Sequence, residues 1–384
     1  MRSTYGVTTK ADVEQIAHAI RGYFSPNGFG YRRGHIPFPL HTQVSVQGRS
    51  IRIALSRPVT FLPHLLGLPY VSPPPQGGTE GRIAPFFLTR QEKDSYILTP
   101  NEAISQGRFP DSVEMRVIKD NDHALALFER GELDMTSTTG LGQVAAQELR
   151  DHPRLTSRAL SIFGNLEFGA HSASLRSDAE LRIGIARVLD CRRLADVAPD
   201  LLIGHPESLH AEKTPDQATK RKIRKALTKA NRIIYADFPP NGGIVSAVVS
   251  TIRSEFGVSL HPEALSLPQY ARRMASSNFA LAYTLTVPEF EHPAAALMPW
   301  HSRGTAARGA EFSDARLDEI LESAAAVRDG QGECWNAASR RLREVIPRIP
   351  LTQTISKFLI DPSWSHISFT GMGAIRVESY AKGQ

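Results

Sequence analysis

The side chains able to act as nucleophiles, metal ligands or proton carriers are few and scattered in this chain. Cys191 and Cys334 are the whole thiol complement. Cys191 follows an apolar helical segment and Cys334 adjoins Trp335, positions that suit packing rather than a cation-stabilised thiolate. Two cysteines make one disulfide at most, which excludes a disulfide framework and a Cys-rich metal site and leaves the redox compartment open. The 13 histidines include the pairs His35/His41 and His205/His210, but no further ligands stand at metal-binding spacing, so no metal is expected. No G-x-S-x-G elbow, H-E-x-x-H pair, Walker loop or C-x-x-C pair occurs, and GNLEFG and TGLGQ are too short for dinucleotide loops. No cofactor and no catalytic residue is therefore expected.

One cationic cluster stands out. The predicted helix over Gln217 to Arg232 carries Lys220, Arg221, Lys222, Arg224, Lys225, Lys229 and Arg232. Such a row can neutralise the phosphates of nucleic acid or of anionic lipid. It is also what a solvated helix face looks like, and Ile223, Leu227 and Ala230 supply a narrow inner stripe with no aromatic residue among the cations to stack bases. The solvated face is the reading adopted, and nucleic acid is not expected as a partner.

Composition bounds the rest. The 384 residues are 41% hydrophobic, enough for substantial cores in two or three domains. A formal charge of +6, from 45 basic and 39 acidic residues, is modest and mixed along the chain. The amino-terminal run MRSTYGVTTKADVEQIAHAI has neither an apolar core nor a small-residue cleavage site, so it does not read as an export signal. No run of about 18 apolar residues predicts a membrane span.

Periodicity then gives the elements. Apolar Val13, Ile16, Ala17 and Ile20 predict a helix over 9–21 with Thr9 as its N-cap. HTQVSVQG and SIRIALSRP alternate with period two around Gly48-Arg49, a β-hairpin. VSPPPQGGTEG is a loop. SYIL and VEMRVI predict strands, NDHALALFER a helix closed by Gly131, and ERGELDMTST a return to strand. DAELRIGIARVLDCRRLADV is a helix with Leu181, Ile185, Val188 and Leu189 on one face and a break at Asp190. RIIYADF, a helix ending at Gly257, a helix from Leu267 and a strand over 278–285 build an α/β lobe. Two lobes imply a cleft, the usual place for a small solute.

The order of segments resembles the family 5 extracytoplasmic solute-binding proteins, the peptide- and nickel-binding receptors of ABC importers. TTKADVEQIAHAIR is similar to that family's TAEDV helix, GGTEGRIAPFFL to its GTGPYKL turn, and FERGELDMT to its segment ending in GEIDI. LRIGIARVLDCRRLADV resembles its RQAIAYAIDR helix, FSDARLDEILESAAAVRD its GYSNPEVDALLDEA segment, and RIPLTQ its PVIPLYQ strand. The resemblance implies an α/β, bilobal periplasmic-binding-protein-like fold of type II with an inserted subdomain. Its main lobe would span 1–231, with the inserted small α/β region; a second lobe would span 232–299, and 300–384 would return to the main lobe.

In peptide-binding members a G-W-x-x-D-Y-x-D-P segment places an Asp against the ligand's amino group, and here TVPEFEHP stands in that place. The resemblance therefore implies Glu289, Thr286, Phe290 and His292 as ligand-binding residues. Glu289 keeps a carboxylate for a cation, on a longer side chain. Thr286 replaces the Trp and removes a large apolar surface, which points away from an ordinary peptide ligand. The implied partners are a peptide or small-molecule ligand and an ABC permease. Family members carry an export signal and further main-lobe sequence before the TAEDV helix. If Met1 is the native start, the main lobe lacks that part, the location is cytoplasmic rather than extracytoplasmic, and a partner chain covering the exposed sheet edge is expected. The leading reading is a non-enzymatic receptor; the alternative is a cytoplasmic enzyme or small-molecule sensor on the same scaffold.

Overall fold

A computed structural model describes residues 10–71, 85–105, 109–137, 143–206, 214–327, 332–364 and 368–377. Thr9, His210 and nearly all of the loop predicted at 71–81 lie outside them. Alternating residues give β1 (Thr42–Gln47) and β2 (Ser50–Leu55), an antiparallel hairpin turned at Gly48, whose φ of 61° an L side chain rarely adopts. Helix Lys10–Phe24 packs on this hairpin with Val13, Ala17 and Ile20 turned inward, the face its spacing predicts. β3 (Phe86–Gln91), β4 (Ser95–Pro100) and β5 (Val113–Arg116) form a separate antiparallel sheet.

The largest sheet collects β6 (Leu155–Phe168), β7 (Leu202–Gly204), β8 (Arg232–Ala236), β9 (His261–Leu265), β10 (Leu281–Thr286) and β11 (Ile349–Leu359) in the order β7-β11-β6-β10-β8-β9. β8 runs parallel to both β9 and β10, and the remaining pairs are antiparallel. Its strands come from both sides of 231/232 and of 299/300. Gly164 in the middle of β6 is required by close approach: a Cβ there would come within 2.3 Å of Tyr283 Oη and 2.4 Å of Thr352 Oγ1.

Two cores result. One large core lies on the large sheet and takes in Leu181 and Ile185 of helix Ala179–Val188 with Leu189 just after it, Ile223 and Leu227 of helix Gln217–Lys229, and Ile346 and Ile349. The other joins Phe38, Phe61 and Leu65 from the first seventy residues to Phe290, Trp300, Leu321 and Trp335. The inward stripe of the basic helix is thus core, while Lys222, Lys225 and Lys229 stay exposed. The break at Asp190 is real: its carboxylate accepts from Arg192 N at 3.0 Å and starts the next helix, Cys191–Ala195. Among the described residues 129–137 of ERGELDMTST the expected strand does not form. Met135 makes a single antiparallel bridge with Ile360. The Thr136 hydroxyl, not a second backbone group, accepts from Leu359 N at 2.9 Å, which ends the ladder after one pair.

Arg182, on the inner face of helix Ala179–Val188, is 4% exposed. Its guanidinium donates to four carbonyls: Nε to Ile346 O and Nη2 to Val345 O, each at 2.7 Å, and Nη1 to Leu175 O at 2.7 Å and to Arg176 O. Val345 closes helix Glu333–Val345, whose last carbonyls lack intrahelical partners and carry the negative end of the dipole, so a buried cation is satisfied there without a carboxylate. The chain then turns sharply at Ile346, at φ 37° and ψ 64°, a left-handed conformation that is unfavourable for a β-branched residue. That turn delivers Pro347, Arg348 and β11.

Candidate functional site

The end of β10 is where the expected site residues divide. Thr286 faces Phe163 across the β6 ladder. Its hydroxyl oxygen accepts from Arg348 Nη1 at 2.6 Å and from Asn165 Nδ2 at 3.2 Å. Asn165 is fully buried, and its Nδ2 also donates to Phe163 O at 2.9 Å, which fixes the amide orientation. Its Oδ1 has no hydrogen-bond partner among the described residues. A buried amide oxygen left in this way costs about 1–3 kcal/mol, so it is a position where a donor from a bound molecule would be favourable.

Asn165 and Arg348 line a cavity of about 320 Å³ between the two cores. Phe163 and Ile346 reach it from the sheet side, and Leu297, Trp300 and Trp335 from the other core. The Arg348 guanidinium lies 5.1 Å from the centre of the Trp300 ring, a cation–π placement that orients it. Arg343, Ser339, Asn336 and His205 complete the polar part, and the described lining holds two arginines and no carboxylate. The volume is near the lower end of the roughly 300–1,000 Å³ usual for small-ligand sites, and the mixture of aromatic wall and a few polar groups is the usual one.

His205 is buried with its ring 4.7 Å from Phe163. Burial, then the nearby Arg348 charge, pulls its pKa down from 6.5 to about 4, so the cavity holds a neutral imidazole at neutral pH. An unfolded chain takes up this proton near pH 6.5 while the folded chain resists until about pH 4. The contribution of His205 to stability is therefore full above the unfolded value and is lost as pH falls through that window. Two to three pKa units correspond to about 3 kcal/mol. Urea unfolding at pH 7 and pH 4.5 is expected to show a loss that His205→Gln removes in large part; equal losses in both proteins would mean that this imidazole is not held neutral.

The other expected residues sit behind the cavity or beside it. His292 caps helix Pro293–Leu297, its Nδ1 accepting from Ala294 N at 3.1 Å. Its ring meets the Trp335 ring edge-on at 5.3 Å and so supports a cavity wall. Phe290 is core, 5.7 Å from the His35 ring and 6.2 Å from Phe61. The Glu289 carboxylate is held within the chain, 2.9 Å from Arg33 Nη2 and 3.3 Å from His35 Nε2. His35 Nδ1 is 2.7 Å from the Tyr23 hydroxyl, so the imidazole lies between the phenol and the Glu289 carboxylate. Burial pushes the Glu289 carboxyl up, but the His35 hydrogen bond and the His35 and Arg33 charges outweigh it and hold it below its ordinary value. Burial, with the Glu289 charge, pushes Tyr23 well up, so the phenol keeps its proton.

Sequence reading singled out the end of β10 but not Asn165, His205, Arg343 and Arg348, which line the cavity. The signal available was a polar residue interrupting an apolar strand, in SIFGNLEF and in IPRIPL. Among the described residues no group of three or more His, Cys, Asp or Glu could hold a metal ion, and no helix is long and apolar enough to cross a membrane.

No protein-family profile matches this chain, and no curated protein sequence matches it. Solved structures do. The Escherichia coli murein tripeptide binding protein MppA aligns with TM-score 0.72 at 14% identity, over 98% of this chain and 84% of that one. Haemophilus influenzae OppA in complex with the peptide RPPGFSPFR aligns with TM-score 0.73 at 13% identity, over 97% and 84%. NikA from Brucella suis in complex with Fe(III)-EDTA aligns with TM-score 0.70 at 15% identity, over 97% and 84%. The α/β fold of this chain is that of the periplasmic binding proteins, as the order of its segments implied.

Proposed function

We propose that this chain, built on the fold of the peptide- and nickel-binding receptors of ABC importers, is a non-enzymatic binding protein for a peptide or a similarly small solute that carries a carboxylate. The observation that carries the reading is the cavity between the two cores, which is aromatic on one side and has Arg343, Arg348 and the orphaned Asn165 Oδ1 on the other. Two arginines in one cavity favour an anionic group, and an arginine fork matches a carboxylate in two parallel hydrogen bonds. Asn165 Oδ1 would accept from a peptide N–H. Trp300, Trp335 and Leu297 would bury the apolar remainder. Thr286 and His292 then act as support, by orienting Arg348 and Trp335.

The two cores fit two lobes with the cavity between them, and a solute that touches both favours the closed arrangement. Delivery to a permease outside the cytoplasm follows from the likeness to periplasmic receptors and is part of the same proposal. The test is native mass spectrometry of the purified chain after incubation with a mixture of di- to pentapeptides. The expected result is retention of unmodified peptide by the wild type and its loss in Arg348→Gln. Retention of nothing, or release of chemically altered peptide, would overturn the receptor reading.

A further inference from the structure

A second cavity, of about 310 Å³, opens at the other end of β10 from the first. Its floor is apolar and buried: Ile234 on β8, with Phe279 and Ala280 leading into β10. Its rim is cationic. Lys229 closes the basic helix, Arg232 opens β8 three residues later, and Arg273 comes from helix Leu267–Ala275. Glu263 is the one lining carboxylate, and it is taken by Arg273 at 3.2 Å. Among the described residues no carboxylate pairs with Lys229 or Arg232, and Asn231 between them adds an amide to the lining.

Arg232 lies directly across the ladder from His261, another basic residue. The basic helix extends the field outward. Lys222, Lys225 and Lys229 fall at i, i+3 and i+7, one exposed stripe ending at the cavity, which raises the local concentration of anions.

From this we infer a second ligand site, for an organic phosphate monoester. The dianionic phosphate sits at the Lys229–Arg232 rim, and the organic part lies on Ile234 and Phe279. A bare inorganic anion would use the rim and leave the floor uncovered, so the ester binds more tightly. The site takes a small molecule; it stands apart from the peptide cavity and does not depend on what that cavity binds.

The experiment is calorimetric titration of the full chain with phenyl phosphate and with inorganic phosphate at constant ionic strength. Phenyl phosphate is expected to bind at least about fivefold more tightly, from burial of one ring against an apolar floor. In the double variant Lys229→Gln/Arg232→Gln both affinities are expected to fall by about tenfold or more, the loss of two charge-assisted contacts. Both residues are exposed, and circular dichroism checks that the variant is folded. Arg348→Gln separates the two cavities: loss of both affinities in that variant, with none in the rim variant, would put the probes in the peptide cavity and overturn the inference. The inference is overturned if neither probe binds the wild type, if the two bind equally, or if the double variant binds as the wild type does. It is overturned as well if Lys222→Gln/Lys225→Gln abolishes binding while the rim variant retains it, for then the exposed stripe alone attracts anions.

Discussion

Arg182→Met is expected to lower the unfolding free energy by about 3–5 kcal/mol, the range for breaking a buried polar network. The four carbonyls that the guanidinium serves belong to two turns of chain, Leu175–Arg176 and Val345–Ile346. Methionine fills similar space and donates nothing, so each carbonyl that water cannot reach costs about 1–3 kcal/mol. Removal of a desolvated cation offsets part of this, which sets the upper figure. Arg182→Lys is expected to recover only a fraction, because an ammonium cannot span both turns as the planar fork does. Urea unfolding at pH 7 measures all three proteins. A loss under about 1 kcal/mol for the methionine variant would show that the carbonyls find other donors.

Arg348→Gln is expected to weaken binding of a retained peptide by about 10–100-fold, the effect of one charge-assisted contact worth roughly 1.5–3 kcal/mol. The side chain touches Thr286 through one amine and stacks on Trp300, so glutamine keeps some packing while losing charge. Glu289→Gln serves as the contrast, since it removes the charge that the ligand would meet if its ammonium led the way. The receptor proposal expects that change to leave peptide affinity within about threefold, well under the tenfold that 1.4 kcal/mol represents. Calorimetry with the peptide recovered from the mixture decides between them. A large loss at Glu289 with none at Arg348 would reverse the polarity of the site.

Why the sequence showed the scaffold and not these two arginines has a physical cause. Periodicity reports local burial, and the hairpin at 42–55, the helix at 179–188 and the basic helix at 217–229 bury one face each, so their spacing is visible. The cavity is made by contacts that no local pattern records. Asn165 reaches Thr286 across 121 positions and Arg348 reaches it across 62, both through the pairing of β6 with β10 and β11. Arg182 reads as one charge in an amphipathic helix, yet it points inward to carbonyls 163 and 164 residues away. Glu289 shows the converse. Its acidic turn was legible, but its two partners, Arg33 and His35, come from a stretch with no marked pattern. The strand expected at 129–138 failed for a related reason: its alternation is local, while the edge it meets offers only one pair.

The Arg33–Glu289 contact changes what a ligand has to overcome. A guanidinium tethered to the same folded chain meets the carboxylate at a high effective concentration, a resident competitor that dilution does not remove. An incoming ammonium must displace it and take over its share of the charge as well. His35, itself in contact with Tyr23, approaches the other carboxylate oxygen from behind. Under the receptor proposal the turn that would greet an amino terminus is thereby self-occupied, so solutes without a free amine would lose nothing there, and selectivity would shift toward the acidic end of whatever enters.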